Sequence, residues 1–206
     1  MSTALIEIPA RHRPAIHPLT VRVTHWINAL AMTVMIMSGL AIHNAYPILP
    51  VAIPDALTLG GWLGGATRWH FAAMWLLAGN GLVYLAYGIV SGRFRRKLLP
   101  ITPRAVLADL RDALSGRLGH ADLSVYNAVQ RLLYLGVILA GLLAVLSGLA
   151  IWKPVQLGGL TALMGDFDNA RLVHFAAMAA IVTFLLVHVA MALLVPRSLK
   201  AMVVGR

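Results

Sequence analysis

The sequence predicts an all-α fold, an integral membrane four-helix bundle with both termini cytoplasmic. Three observations predict it. Of the 206 residues, 60% are hydrophobic and only 12% are charged, with a mean hydropathy of +0.81. No ordinary soluble domain has that balance. Four apolar runs each reach or exceed the roughly 20 residues needed to cross the hydrocarbon. Lys and Arg collect on alternate connections, as the positive-inside rule requires.

Residues 1–19 are polar and rich in Pro, His and Arg, and read as an N-terminal tail. The first span covers residues 20–43; its run is too long for a signal-peptide core, and no small-residue cleavage site follows. Residues 44–65 are a Pro/Gly-rich loop with room for a short interfacial helix. The second span covers 67–90. A basic linker, 91–124, carries Arg93, Arg95, Arg96 and Lys97, and its part from Pro103 to Leu118 has the spacing of a surface-lying helix. The third span covers 126–152, a further Pro/Gly loop 153–169, the fourth span 170–195, and a basic tail 196–206. Residues 20–195 form one domain. The N-terminal segment through Arg22, the middle linker and the C-terminal tail hold 3, 7 and 3 Lys or Arg. The other loops hold Arg68, Lys153 and Arg171 alone, which places the tails and the linker in the cytoplasm. The net charge of +10 is therefore topological, and nucleic acid is not an expected partner. A bacterial inner membrane is the expected location, with lipid around the bundle and homo-oligomers compatible with it.

The chain contains a repeat. Ser38-Gly39-Leu40-Ala41-Ile42 closes the first span and Ser147-Gly148-Leu149-Ala150-Ile151 the third. His70-Phe71-Ala72-Ala73-Met74 opens the second span and His174-Phe175-Ala176-Ala177-Met178 the fourth. A duplicated helical hairpin accounts for both.

Histidines carry the chemistry. His174 and His188 lie 14 residues apart, about 40° short of four full turns and roughly 21 Å along a helix axis. Both imidazoles thus leave one face, one toward each membrane surface. The repeat sets His70 opposite His174 near the outer surface. His25 is the embedded histidine on the cytoplasmic side and pairs with His188. Ionisable groups inside a membrane are costly and mark function. Two paired imidazoles at each of two depths suit two haem irons, inner (His25, His188) and outer (His70, His174). With no cysteine, covalent haem attachment, iron–sulfur clusters and thiolate zinc sites are excluded. Gly39 and Gly148 leave space for a flat macrocycle or for tight helix packing. Arg22, Arg68 and Arg171 precede ligand histidines by two or three residues, where they suit haem propionates or simple snorkelling. His43 is in phase with His25 and competes with His70, but its repeat counterpart is Trp152, so it reads as interfacial. His12, His17 and His120 lie in polar segments and read as solvated.

His25 behind His17-Pro18 and Arg22, Arg-Trp-His at His70, Arg171-x-x-His174 with His188, and Tyr126-Asn127-x-x-Gln130-Arg131 together resemble the four-helix dihaem cytochrome b superfamily. That superfamily includes membrane subunits of Ni,Fe-hydrogenases, formate dehydrogenases and thiosulfate reductases. The resemblance covers roughly residues 17–200. It implies two haem b groups with the ligand sets given above, and a quinone site near the inner haem at Asn127, with Gln130 and Arg131. Asn127 also suits a helix cap. The loop from Lys153-Pro154-Val155-Gln156 to Thr161-Ala162-Leu163 resembles members associated with an exported molybdopterin oxidoreductase of the sulfite-oxidase type. The implied function is transmembrane electron transfer between an outer-face redox partner and quinone, with quinone oxidoreductase activity and no separate catalytic side chain. Asp55, Asp166 and Asp168 suit docking of that partner or ordinary solvation. Two alternatives are a stand-alone quinone-coupled oxidase of superoxide, with Arg68, Lys153 and Arg171 drawing the anion, and a non-redox membrane scaffold or transporter.

Overall fold

In the computed structural model, residues 17–115 and 126–205 are described. His12 and His120 lie outside them. Four long helices dominate: α1 (Leu19–Ala45), α2 (Leu63–Val90), α5 (Ala128–Trp152) and α7 (Phe167–Leu194). Each is long and apolar enough to span a membrane. Shorter helices join them: α3 (Arg93–Leu98) and α4 (Pro103–Leu114) in the linker, α6 (Gly158–Leu163) between α5 and α7, and α8 (Pro196–Val204) after α7. Among the described residues the secondary structure is entirely helical, with one 3-10 turn at Asp55–Leu57. The chain is a multi-pass inner-membrane protein.

The helices pair as two hairpins, α1 with α2 and α5 with α7, and close backbone approach is concentrated within them. Small residues make that approach possible. Ser38, Ala66 and Ala73 are buried in the first hairpin, and Ser147, Ala170 and Ala177 in the second. These are the same positions of the repeat, so the duplicated sequence builds a duplicated contact. Each buried serine satisfies its hydroxyl on its own helix: Ser38 Oγ donates to the Val34 carbonyl at 2.6 Å, Ser147 Oγ to the Leu143 carbonyl at 2.7 Å. The first hairpin adds a polar tie that the second lacks. Asn80 Nδ2 donates to Thr24 O at 2.7 Å and to Asn28 Oδ1 at 2.6 Å, and phenylalanine occupies the repeat position of Asn80.

At one end, called here the termini end, Arg22 reaches across to the last helix. Its Nε donates to Met202 O at 3.3 Å and its second guanidinium nitrogen to Val203 O. At the opposite, loop end, Arg171 donates to Tyr46 O at 2.7 Å and stacks 4.1 Å from the Tyr46 ring centre. Ring contacts join the hairpins there in a near-symmetric pair. His43 of α1 stacks on Phe175 of α7 at 5.4 Å, and Trp152 of α5 meets Phe71 of α2 at 5.1 Å. Phe71 and Phe175 are repeat partners, as are His43 and Trp152.

Candidate cofactor clamps and the inner-end cluster

Each hairpin contributes one histidine to each of two facing pairs. At the loop end the rings of His70 (α2) and His174 (α7) have centres 6.3 Å apart, with planes at 66°. At the termini end His25 (α1) and His188 (α7) have centres 5.9 Å apart, with planes at 62°. Two trans metal–imidazole bonds of about 2 Å, plus about 1 Å from each nitrogen to its ring centre, span about 6 Å. The ring-centre separations of both pairs match that span. Among the described residues no group of three or more His, Cys, Asp or Glu could hold an ion. A pair of imidazoles leaves four equatorial positions to be supplied from outside the protein, which a porphyrin does and an aquo ion in lipid does not. The residues fit haem.

The loop-end pair is oriented by its neighbours. Ser38 Oγ lies 3.0 Å from His70 Nδ1, and Ser147 Oγ 3.0 Å from His174 Nδ1. The Ala144 carbonyl is 2.9 Å from His174 Nδ1, and the backbone of Met35, its repeat partner, bonds His70. Because each serine gives its own proton to the preceding helical turn, it accepts from Nδ1–H. That leaves Nε2 of both rings unprotonated, the tautomer a metal ligand needs. The glycines that follow these serines admit the imidazoles. A Cβ on Gly39 would sit 3.4 Å from His70 Cε1, and one on Gly148 only 3.2 Å from His174 Cε1. Both glycines are thus occupied by imidazole edges. Ser38 and Ser147 were present in the repeat, yet sequence reasoning gave them no role, because a lone serine in an apolar helix ordinarily bonds only its own backbone.

The termini-end pair has aromatic neighbours. Phe184 stacks on His188 with centres 5.6 Å apart, and Trp26 meets the edge of His25 at 5.2 Å. From His188 the rings continue through Phe184 to Tyr134 (6.2 Å) and on to Tyr126 (5.1 Å), over which Lys97 stands at 5.8 Å. Tyr126 precedes Asn127, which caps α5. Asn127 Oδ1 accepts from Gln130 N at 2.7 Å, and Gln130 Oε1 accepts from Asn127 N at 3.1 Å, a reciprocal capping box. Arg131 Nε donates to Tyr126 O at 3.0 Å, and a terminal nitrogen to Pro100 O at 3.0 Å, fixing the linker against α5.

His17 departs from the solvated reading. It is 8% exposed, and Arg93 of α3 lies 3.3 Å from its Nδ1. The polar sequence around it gave no hint that α3 folds back over it. Burial, followed by the Arg93, Lys97, His25 and Arg22 charges, pushes its pKa down to about 4. Of the arginines, Arg22 and Arg171 engage backbone carbonyls as described, Arg171 also pairs with Asp168 at 3.3 Å, and Arg68 is exposed two residues before His70. Asp166 Oδ1 accepts from Asn169 N at 2.7 Å and caps α7. Asp55 borders two loop-end cavities of about 220 and 360 Å³, neither lined by a histidine.

Four helices of membrane-spanning length with two facing imidazole pairs are consistent with the cytochrome b class of electron-transfer proteins. The family model described as prokaryotic cytochrome b561 matches residues 16–205, and the chain belongs to that family. It is 56% identical over 191 residues to a protein of Azospira oryzae described as "Putative protein-methionine-sulfoxide reductase subunit YedZ1", covering 93% of this chain and 96% of that one. It is 24% identical over 191 residues to a Cupriavidus necator protein described as "Probable Ni/Fe-hydrogenase B-type cytochrome subunit", covering 84% and 76%.

Proposed function

We propose that the protein is a dihaem b-type cytochrome that carries electrons from quinol, at the cytoplasmic termini end, to a redox enzyme docked at the outer loop end. The single observation behind this reading is the pair of imidazole clamps, each drawing one histidine from each hairpin and both sharing α7. Their roughly 21 Å spacing along α7 sets them in series across the bilayer. The positive-inside distribution of Lys and Arg supports the orientation. Bound between the rings, haem b would supply iron that takes up and releases one electron at a time.

The chain's own residues do the rest. His25 and His188 hold the inner group, and His70 and His174 the outer. Ser38 and Ser147 keep Nδ1 of the outer pair protonated and its Nε2 available. The spanning helices exclude water. At the inner end, Tyr126 and Asn127 border the ring sequence that leads to His188, and the quinone headgroup binds beside them, within reach of Gln130 and Arg131. Arg22, Arg68 and Arg171 supply positive charge near the two haem edges.

The description of the Azospira relative supports a protein methionine sulfoxide as final acceptor, and the resemblance carried by the loop from Lys153 to Leu163 supports a partner enzyme of the molybdopterin type at the outer face. Two electrons and two protons convert the sulfoxide to a thioether and water, while one quinol is oxidised to quinone. The test is an optical and stoichiometric one. Purified protein should show sharp b-type bands on reduction, two haems per chain, and bleaching when partner and methionine sulfoxide are added to the quinol-reduced form. A colourless preparation refutes the cytochrome reading. A coloured one that quinol fails to reduce refutes the quinone coupling.

A further inference from the structure

His43 has no place in either clamp, and its environment is unusual. It is 7% exposed, at the loop end of α1. The Leu49 N–H points to its Nε2 at 3.4 Å. A ring nitrogen that accepts carries no proton, so the imidazole proton is on Nδ1. That Nδ1 is buried and has no hydrogen-bond partner. A buried donor without an acceptor is costly, and native interiors rarely leave one. The local packing thus calls for an acceptor that the polypeptide does not provide.

Position narrows what the acceptor is. His43 lies four residues after Gly39, on the same face of α1 and about 6 Å further toward the loop end. Gly39 is where the His70 ring rests. The His43 ring stacks on Phe175, the residue after His174. His43 therefore borders the loop-end clamp on its outward side. The repeat sharpens the point. Trp152 occupies the equivalent place against Phe71, so the two repeats differ here, and one edge of the clamp has an imidazole where the other has an indole. Arg171, which holds Tyr46 one turn beyond His43 and pairs with Asp168, lies at that same edge. An unpartnered imidazole donor on the outward rim of a macrocycle site matches a carboxylate.

We propose that His43 Nδ1–H donates to a propionate carboxylate of the outer haem and so fixes which way round that haem sits. The inference rests on the dihaem reading. His43 is a positioning residue: it touches the carboxylate rim and leaves the iron to His70 and His174.

The test uses full-length protein in detergent, with His43→Leu, His43→Asn and His43→Gln. An asparagine amide occupies roughly the place of Nδ1, and a glutamine amide roughly that of Nε2. Redox titration and resonance Raman of the propionate bending mode are the readouts. In His43→Leu the carboxylate loses its donor and its charge is less compensated. The outer haem's reduction constant should fall by about tenfold, equivalent to 59 mV for one electron. The inner haem should not move. His43→Asn should restore both the potential and the Raman mode, and His43→Gln should not. An unchanged outer potential and propionate mode in His43→Leu would overturn the proposal. So would equal behaviour of the asparagine and glutamine variants, which decides the matter if the leucine variant fails to fold. Wild-type protein free of porphyrin would overturn the dihaem reading as well, whereas two haems insensitive to His43 would overturn this assignment alone.

Discussion

Replacing Gly148 with valine drives a branched side chain into the imidazole of His174. The β-carbon alone would stand 3.2 Å from Cε1 and 3.6 Å from Nδ1. Carbon atoms pack at about 3.5–4.0 Å, so alanine already asks the ring to yield by a few tenths of an ångström. Each γ-carbon of valine extends about 1.5 Å further. A γ-carbon directed at the ring would require His174 to shift by about 1 Å, against a tolerance of about 0.2 Å in a metal–ligand bond. Overpacking of this kind costs about 1–3 kcal/mol even where the surroundings relax. Gly148→Val should therefore lose the outer haem and keep the inner one. Gly141 on the same helix has open space around its position, so Gly141→Ala should retain both. Haem extracted per chain, with a redox titration to say which haem remains, measures the outcome. Two haems with wild-type potentials in Gly148→Val would mean that His174 does not hold its cofactor in the orientation described.

Further predictions concern individual groups. His174→Ala should lose the outer haem and His188→Ala the inner, and two haems retained in either variant would overturn the ligand assignment. Ser147→Ala leaves Nδ1 of His174 with the Ala144 carbonyl alone; outer-haem affinity should fall by about tenfold, the lower end for such supporting contacts, as read by haem-transfer competition. Asn127→Ala should lower the stability of α5 by about 1 kcal/mol through the lost cap, whereas Asn127→Asp keeps the capping oxygen; if the amide also serves quinone, the aspartate variant melts normally but oxidises quinol slowly. His17 in the folded protein has its pKa lowered to about 4, so between pH 6.5 and about 4 the unfolded chain binds more protons and stability falls as pH falls. His17→Phe should flatten that part of a melting-temperature profile, leaving the pH dependence due to other groups.

The four spans and their pairing were legible because apolar length and charge asymmetry are properties of the chain itself. So were the histidine pairs: helical phase put His174 and His188 on one face, and the duplicated pentapeptides put His70 against His174. Residues whose role depends on a distant segment were less legible. His17 sits in a polar sequence and is buried only because α3, some 76 residues on, lays Arg93 against it. His43 lies near the loop end of α1, and its burial comes from Phe175 and the loop at Leu49. The glycines at 39 and 148 were marked as places without a side chain, but only the packed hairpins show that imidazoles fill them. Asn127 was open to either a cap or a quinone contact, and the capping box accounts for its Oδ1 while leaving the second role to experiment.

Each clamp takes one histidine from either hairpin, and that arrangement constrains biogenesis. On the dihaem reading, when the first two spans have entered the bilayer, His25 and His70 are present without counterparts, and no prosthetic group would yet be gripped. Loading would wait for α7, whose His174 and His188 would complete both sites. The Arg22 clasp to Met202 and Val203 then joins the start of α1 to the end of α8. Two separately expressed halves, cut in the linker, should accordingly find one another around the pigment and not before it.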